Sequence, residues 1–223
     1  MDEPVAKRVK TDDDIILYSY WRSSCSYRVR IAMEMKGIKY EYEPVHLVKN
    51  GGMHHSKEYV DTLNPMQQVP SVRIDGFILT QSVAIIEYLE ETRGGHKLLP
   101  AEPRDRARVR MIVEIINSGI QPLQNLKLLK MWEENGGDKM EYGKQVITEG
   151  FRGLEKTFNQ VDSQYCVGDK VTIADCFLVP QVYNAMRFKV EMEQFPIISR
   201  INKNLIELEQ FKSAHPSAQI DAE

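Results

Sequence analysis

The stretch WRSSCSYRVRIAM, residues 21–33, decides how the chain is read. Ser23, Ser24 and Cys25 stand in a row where a short apolar run, IILYSY (15–20), gives way to a helical pattern. The run is β-leaning and predicts a first strand. From Ser24 the apolar positions Val29, Ile31, Ala32 and Met35 predict a helix, closed by Lys36 and Gly37 as a basic last turn and a C-cap glycine. A serine at a helix start satisfies free N–H groups. The same helix end favours negative charge. The motif therefore reads either as a cap or as a site that stabilises an anion carried by a ligand, for which a bound thiolate suits a hydroxyl donor. A serine nucleophile lacks a histidine placed by the sequence as its base. A redox centre lacks a resolving cysteine, since Arg28 holds that position.

Working outward, IKYEYEPVHL (38–47) alternates as a second strand, and NGGMHHSKEYVDTLNP (50–65) is turn-rich with one or two helical turns. VPSVRIDGFILT (69–80) reads as a hairpin turning at Asp75-Gly76. Gln81-Ser82 opens a helix with Val83, Ile86 and Leu89 on its apolar face and Gly94-Gly95 as its stop. The order β-α-β-α-β-β-α predicts a four-stranded mixed sheet with helices on both faces. Beyond it, helical periods dominate, at 105–134, 141–161, 172–188 and 196–211, with Thr172 and Asp175 forming a capping box. The chain divides into a polar tail (1–14), an α/β domain (15–95), a linker (96–103) and an all-α domain (104–223).

Two further signals lie in the α/β half. Val69-Pro70 stands before the third strand, a place where cis bonds occur, and such a bond exposes the Val69 main chain to a peptide-like ligand. Gln81-Ser82 sets an amide, a hydroxyl and free N–H groups at a helix start, a ready carboxylate site. Thiolate site, peptide clamp and carboxylate cradle follow in that order.

Composition narrows the classes. A net charge of −3 over 223 residues argues against a nucleic-acid surface. No apolar run approaches the roughly 18 to 20 residues of a membrane span, and no signal-peptide core follows the first residue. Cys25, Cys166 and Cys176 form no CxxC pair, and His54 and His55 have no cysteine at ligand spacing, so neither disulfides nor a metal site is expected. A reducing, cytoplasmic setting follows. The PVAKRVK cluster in the tail reads as a solvated segment or as a basic cluster of the nuclear-import kind. The basic run RDRARVRM (104–111) reads as a solvated helix face or a subunit interface.

SYWRSSCSYRVRIAM, NPMQQVP, QSVAIIEYLEETR, GIQPLQNL and YCVGDKVTIADCFLVPQVYNA together resemble zeta-class glutathione transferases, over roughly residues 15–215. The resemblance implies a thioredoxin-like domain followed by an all-α domain, a homodimer, and glutathione as cofactor. It implies isomerisation of maleylacetoacetate to fumarylacetoacetate in tyrosine and phenylalanine catabolism, and dehalogenation of α-halo acids such as dichloroacetate. On it, Ser23 stabilises the glutathione thiolate with Ser24 and Cys25 beside it, and Ser26, Tyr27 and Arg28 complete the segment along glutathione. Val69 clamps the cysteinyl unit, Gln81 and Ser82 hold the γ-glutamyl carboxylate, and Gln121, Asn125, Leu126 and Lys127 close the site. His54 falls where the class commonly has a glutamine contacting the glycyl end, since Gly51-Gly52-Met53-His54 replaces Gly-Gly-Gln-Gln. Arg187, in NAMRF, and Arg22 face the substrate carboxylates, or Arg187 is an ordinary surface arginine. A broader conjugating transferase and a non-catalytic scaffold of the same fold are the alternatives.

Overall fold

The computed structural model describes residues 14–158 and 163–223. Strands β1 (Ile16–Ser19), β2 (Glu41–Pro44), β3 (Ser71–Ile74) and β4 (Phe77–Thr80) form one mixed sheet in the order β2-β1-β3-β4. Leu17 of β1 lies opposite Tyr42 in a parallel pair and opposite Val72 in an antiparallel one. The parallel pair needs a crossover, which helix α1 (Ser24–Lys36) supplies. The β3–β4 hairpin turns where Asp75 and Gly76 take φ of 51° and 78°, the two positive values that a tight hairpin turn demands. A short α2 (Lys57–Thr62) precedes β3, and α3 (Ser82–Thr92) follows β4.

Helix α1 is the hub. It packs against α3 and, in the helical half, against α7 (Ile173–Arg187) and α9 (Glu209–Ala214). Its pattern hides this, because Arg28 and Arg30 are fully buried along with Val29 and Ile31. Arg30 donates to Ala214 O at 2.9 Å, Ser19 Oγ at 3.2 Å and Trp21 O at 3.0 Å, so its charge is met by oxygens rather than by a carboxylate. Gly37 ends α1 in the left-handed region at φ 66°.

A buried ion pair holds the connection between the halves. Lys36 Nζ lies 2.8 Å from Glu90 Oε2 and also reaches the carbonyl of His96 at 3.1 Å. Glu90 in turn accepts from the N–H groups of Leu98 and Leu99 at 3.1 and 3.3 Å. Burial alone raises the Glu90 pKa; Lys36 and those two N–H groups more than offset it, and the carboxyl ends below its ordinary value. Lys36→Met leaves that carboxylate buried and unpaired, and denaturant unfolding should register a loss of about 3 kcal/mol or more. A loss under about 1 kcal/mol would mean the pair is not structural.

The helical half comprises α4 (Pro103–Glu114), α5 (Leu126–Glu134), α6 (Lys139–Phe158), α7, α8 (Pro196–Ile206) and α9. The single helix expected over 105–134 is four pieces. After α4 the chain makes a π-helical turn, Ile115–Ile120, then a 3-10 turn, Gln121–Gln124, before α5 starts. Asn117-Ser118-Gly119 is a run of weak helix formers and Pro122 has no N–H to donate. Asn125 then recaps the chain, accepting from Leu128 N at 2.9 Å. Gly150 on α6 admits the turn, since a Cβ there would meet Ile120 Cγ1 at 2.4 Å. The helix expected over 196–211 also divides, into α8 and α9. The expected end of the 141–161 helix, beyond 158, and the PVAKRVK cluster lie outside the described residues. The capping box is present: Asp175, fully buried, accepts from Thr172 N at 2.7 Å and from Cys166 N at 2.9 Å. No helix among the described residues is long and apolar enough to cross a membrane.

Candidate active site

Ser23 is the N-cap of α1, with φ −70° and ψ 117°, and its Oγ accepts from Ser26 N at 3.2 Å. A hydroxyl has one hydrogen to give, and the cap bond does not use it. Capping and donating to a ligand are therefore compatible roles for one side chain. The first turn of α1 holds no acid, so its free N–H groups face no competing carboxylate of their own helix. Ser24 is buried and Cys25, a free thiol, is half-buried.

The start of α3 repeats this logic. Gln81 stands at the N-cap with φ 70°, the first turn again lacks an acid, and Ser82 is buried. Gln81 Nε2 donates to Gln68 Oε1 at 3.4 Å, which joins this helix start to the segment carrying Val69 and the cis Val69–Pro70 bond. Tyr59 Oη and Asn64 Nδ2 both donate to Gln68 O, at 2.7 and 2.9 Å, and hold that segment in place. Signals read separately along the sequence thus adjoin in space.

The rest of the α1 motif differs from expectation. Ser26, Tyr27 and Arg28 have side chains at most 1% exposed. They face the core rather than the open end of the helix. Tyr27 packs edge-on to Tyr183 and His215, and burial pushes its hydroxyl pKa up. Arg28 lies beneath the site, bonded to Ser82 Oγ at 3.1 Å and to Asn117 Oδ1 at 2.8 Å.

His54 is 8% exposed, with its ring centroid 3.8 Å from that of His55, which is itself bonded to Gln67 Oε1 at 2.8 Å. Burial first and His55 second lower the His54 pKa from 6.5 to about 4. The folded protein thus resists protonating His54 where the unfolded chain accepts a proton, so stability falls as pH drops from about 6.5 towards 4. His54→Gln removes that group, and its melting temperature should fall less than the wild type's over this window. Parallel curves would mean that His54 titrates normally.

From the helical half, Gln121 and Asn125 are half-buried, and Leu126 and Lys127 are exposed at the start of α5. Among the described residues no hydrogen bond ties these four side chains to α1 or α3. Asn117, one turn earlier, makes that link through Arg28. It was missed in the sequence, where the NSG run signalled a break but not a partner.

Arg187, at the end of α7, is solvent-accessible yet partly desolvated, and its pKa is lowered first by burial and then by repulsion from Arg22. Tyr183 and Tyr20 also act on it. Arg22 stacks over Trp21 at 5.2 Å. Two cations from different halves therefore feel one another's charge, with Arg187 bonded only to the neutral Asn184 Oδ1, at 3.3 Å, among the described residues. Asp221 pins the loop that carries Arg22, accepting from Trp21 N at 3.1 Å and Tyr42 Oη at 2.7 Å. A contact between residues 200 positions apart leaves no local signal. No group of three or more metal-ligating side chains occurs among the described residues.

Residues 13–91 match the profile "Glutathione S-transferase, N-terminal domain", and residues 123–209 match "Glutathione S-transferase, C-terminal domain". Maleylacetoacetate isomerase of Mus musculus is 55% identical over 207 residues, 92% of this chain and 94% of that protein. A bacterial maleyl pyruvate isomerase, a zeta-class glutathione S-transferase, superposes with a TM-score of 0.88 at 39% identity, covering 93% of this chain and 100% of that one. The chain belongs to the zeta class of glutathione transferases. Another similar structure, maleylacetoacetate isomerase of Methylobacterium extorquens AM1, solved with malonate and glutathione bound, has a TM-score of 0.88 at 33% identity, over 93% and 99% of the two chains.

The residues of this zeta-class chain fit glutathione. Two helix N-termini free of acids would suit its thiolate and its γ-glutamyl carboxylate. At each, a serine has an acceptor lone pair already engaged, by Ser26 N or by Arg28, which leaves its O–H free of that bond.

Proposed function

We propose that this chain isomerises maleylacetoacetate to fumarylacetoacetate in tyrosine and phenylalanine catabolism, with glutathione as the cofactor. The observation that carries the proposal is Ser23 at the acid-free start of α1, its hydroxyl proton unspent by the cap. Bound glutathione supplies a thiolate that adds reversibly to a double bond conjugated to carbonyl groups, making it transiently rotatable. Ser23, with the α1 N–H groups, favours the ionised thiol; Ser24 and Cys25 line the same place. Val69 offers its main chain to the cysteinyl unit, and Gln81 and Ser82 hold the γ-glutamyl carboxylate. His54, kept neutral by its low pKa, serves the glycyl end as a neutral hydrogen-bonding partner. Gln121, Asn125, Leu126 and Lys127 close the site from the helical half. Arg187 and Arg22 take the substrate carboxylates, a role supported by their mutual repulsion, which an anion between them relieves. The same cations suit small α-halo acids such as dichloroacetate.

Residues 15–95 form the glutathione-binding domain and 104–223 the substrate domain in this reading, joined by 96–103. The chain acts as a cytoplasmic homodimer, supported by its free thiols and by the exposed Met66, Phe77 and Met111. Light scattering that returns a monomer mass would remove the dimer. The test of function compares specificity constants for a maleyl dicarboxylate and for a neutral electrophile conjugated by glutathione. A strong preference for the maleyl substrate is expected; a preference for the neutral one would make the chain a broader conjugating transferase. Cys25→Ala should retain isomerase activity with altered KM, because the half-buried thiol lines the pocket without being needed as nucleophile. Loss of all turnover in the folded variant would revive a covalent route through Cys25.

A further inference from the structure

Arg28 is a fully buried guanidinium with no carboxylate bonded to it among the described residues. One nitrogen, Nη1, donates both to Ser82 Oγ on α3 and to Asn117 Oδ1 in the π-helical turn. Nε and Nη2 are buried without any hydrogen-bond partner among the described residues. The guanidinium carbon lies 4.2 Å from the centre of the Phe177 ring on α7, which offers its π face to the charge. Burial lowers the Arg28 pKa, opposed by the ionisable Cys25 and Glu114. A cross-brace between helices does not need an uncompensated charge; apolar side chains of the same volume brace as well or better.

The hydrogen-bond inventory gives the charge a use. A guanidinium donates and never accepts, so Ser82 can only receive from Arg28, and its single O–H is turned to another partner. Ser82 opens α3, where the acid-free first turn awaits an anion. We infer that Arg28 is a positioning residue for the γ-glutamyl carboxylate of glutathione: it locks the Ser82 hydroxyl as an outward donor and ties that setting to Asn117 of the helical half. The inference rests on the proposed placement of that carboxylate at Gln81-Ser82. It gives Arg28 an indirect role, since the side chain is too deeply buried to touch the ligand. An anion bound at Ser82 in turn offsets the buried charge at one remove, so ligand binding and the seating of the π-helical turn are coupled.

The test measures dissociation constants of glutathione and of cysteinylglycine, which lacks the γ-glutamyl unit, for the wild type, Ser82→Ala, Arg28→Lys, Arg28→Met and the double variants. Ser82→Ala should weaken glutathione about tenfold and cysteinylglycine hardly at all, as expected for one hydrogen bond to a charged group. Each Arg28 variant should cause a similar selective loss, and combining it with Ser82→Ala should add little, because both act on one hydroxyl. If Arg28→Met fails to fold, Arg28→Lys carries the cycle, since it keeps the charge but not the forked geometry. Additive losses, or equal loss of glutathione and cysteinylglycine, would overturn the positioning role and leave Arg28 a structural brace. An unchanged glutathione affinity in Ser82→Ala would instead remove the γ-glutamyl placement itself.

Discussion

Replacing Ser23 with alanine raises the pKa of glutathione's bound thiol and cuts turnover about 10- to 100-fold, while glutathione affinity changes little. A free thiol has a pKa of about 8.5, so little of it is ionised at neutral pH. A hydroxyl donor to a charged acceptor contributes about 1.5–3 kcal/mol, and each pKa unit of preference for the thiolate corresponds to about 1.4 kcal/mol. The remaining contacts of the tripeptide, at Val69, Gln81 and Ser82, are untouched, so the loss falls on the chemistry. Ser23 also caps α1, and its removal costs about 1 kcal/mol of stability for that reason alone. Titration of the thiolate's ultraviolet absorbance separates the two effects, because a lost cap lowers the melting temperature without moving the titration. Ser23→Thr keeps a hydroxyl and a cap and should recover most of both. An unmoved titration with full activity would exclude Ser23 from the mechanism.

Arg187→Ala has the second large effect, and its size depends on the substrate. Arg187 feels the charge of Arg22 and has no carboxylate bonded to it among the described residues, so on the proposed reading it gains a partner when an anionic substrate binds. Losing that contact should cost about 2 kcal/mol, roughly 30-fold in kcat/KM, on a dicarboxylic maleyl substrate. Dichloroacetate should suffer as well, and conjugation of an uncharged electrophile hardly at all. Arg187→Lys should recover only part of the loss, since a point charge lacks the planar fork that binds a carboxylate by two parallel bonds. The quantity to compare is the ratio of specificity constants for charged and neutral substrates in one folded variant. Equal loss on both would make Arg187 a structural residue and shift the carboxylate anchor to Arg22.

What the sequence revealed was mostly what neighbouring residues decide among themselves. The strand–helix junction at Ser23, the Asp75-Gly76 turn, and the Thr172–Asp175 box each need only a few adjacent residues, and each is in the structure where it was read. The π-helical turn at Ile115–Ile120 was not legible. Its pattern continued that of α4, and its seat depends on Gly150 of a later helix and on Arg28 of an earlier one. The burial of Arg28 was not legible for a related reason: only the packing of α1 between both halves takes that charge out of water. The electrostatic coupling of Arg22 and Arg187, and the Asp221 bond that holds the Arg22 loop, join distant positions and could be reached only through the fold.

On the proposed mechanism, glutathione is regenerated in every cycle by a site built around Ser23. The measurement is a paired count, in one reaction, of maleylacetoacetate isomerised and glutathione consumed, at glutathione concentrations from none to saturation. No isomerisation is expected without glutathione, with saturable dependence on it, and many turnovers for each glutathione with none lost. Isomerisation at full rate in its absence, or one glutathione consumed for each substrate converted, would contradict that mechanism.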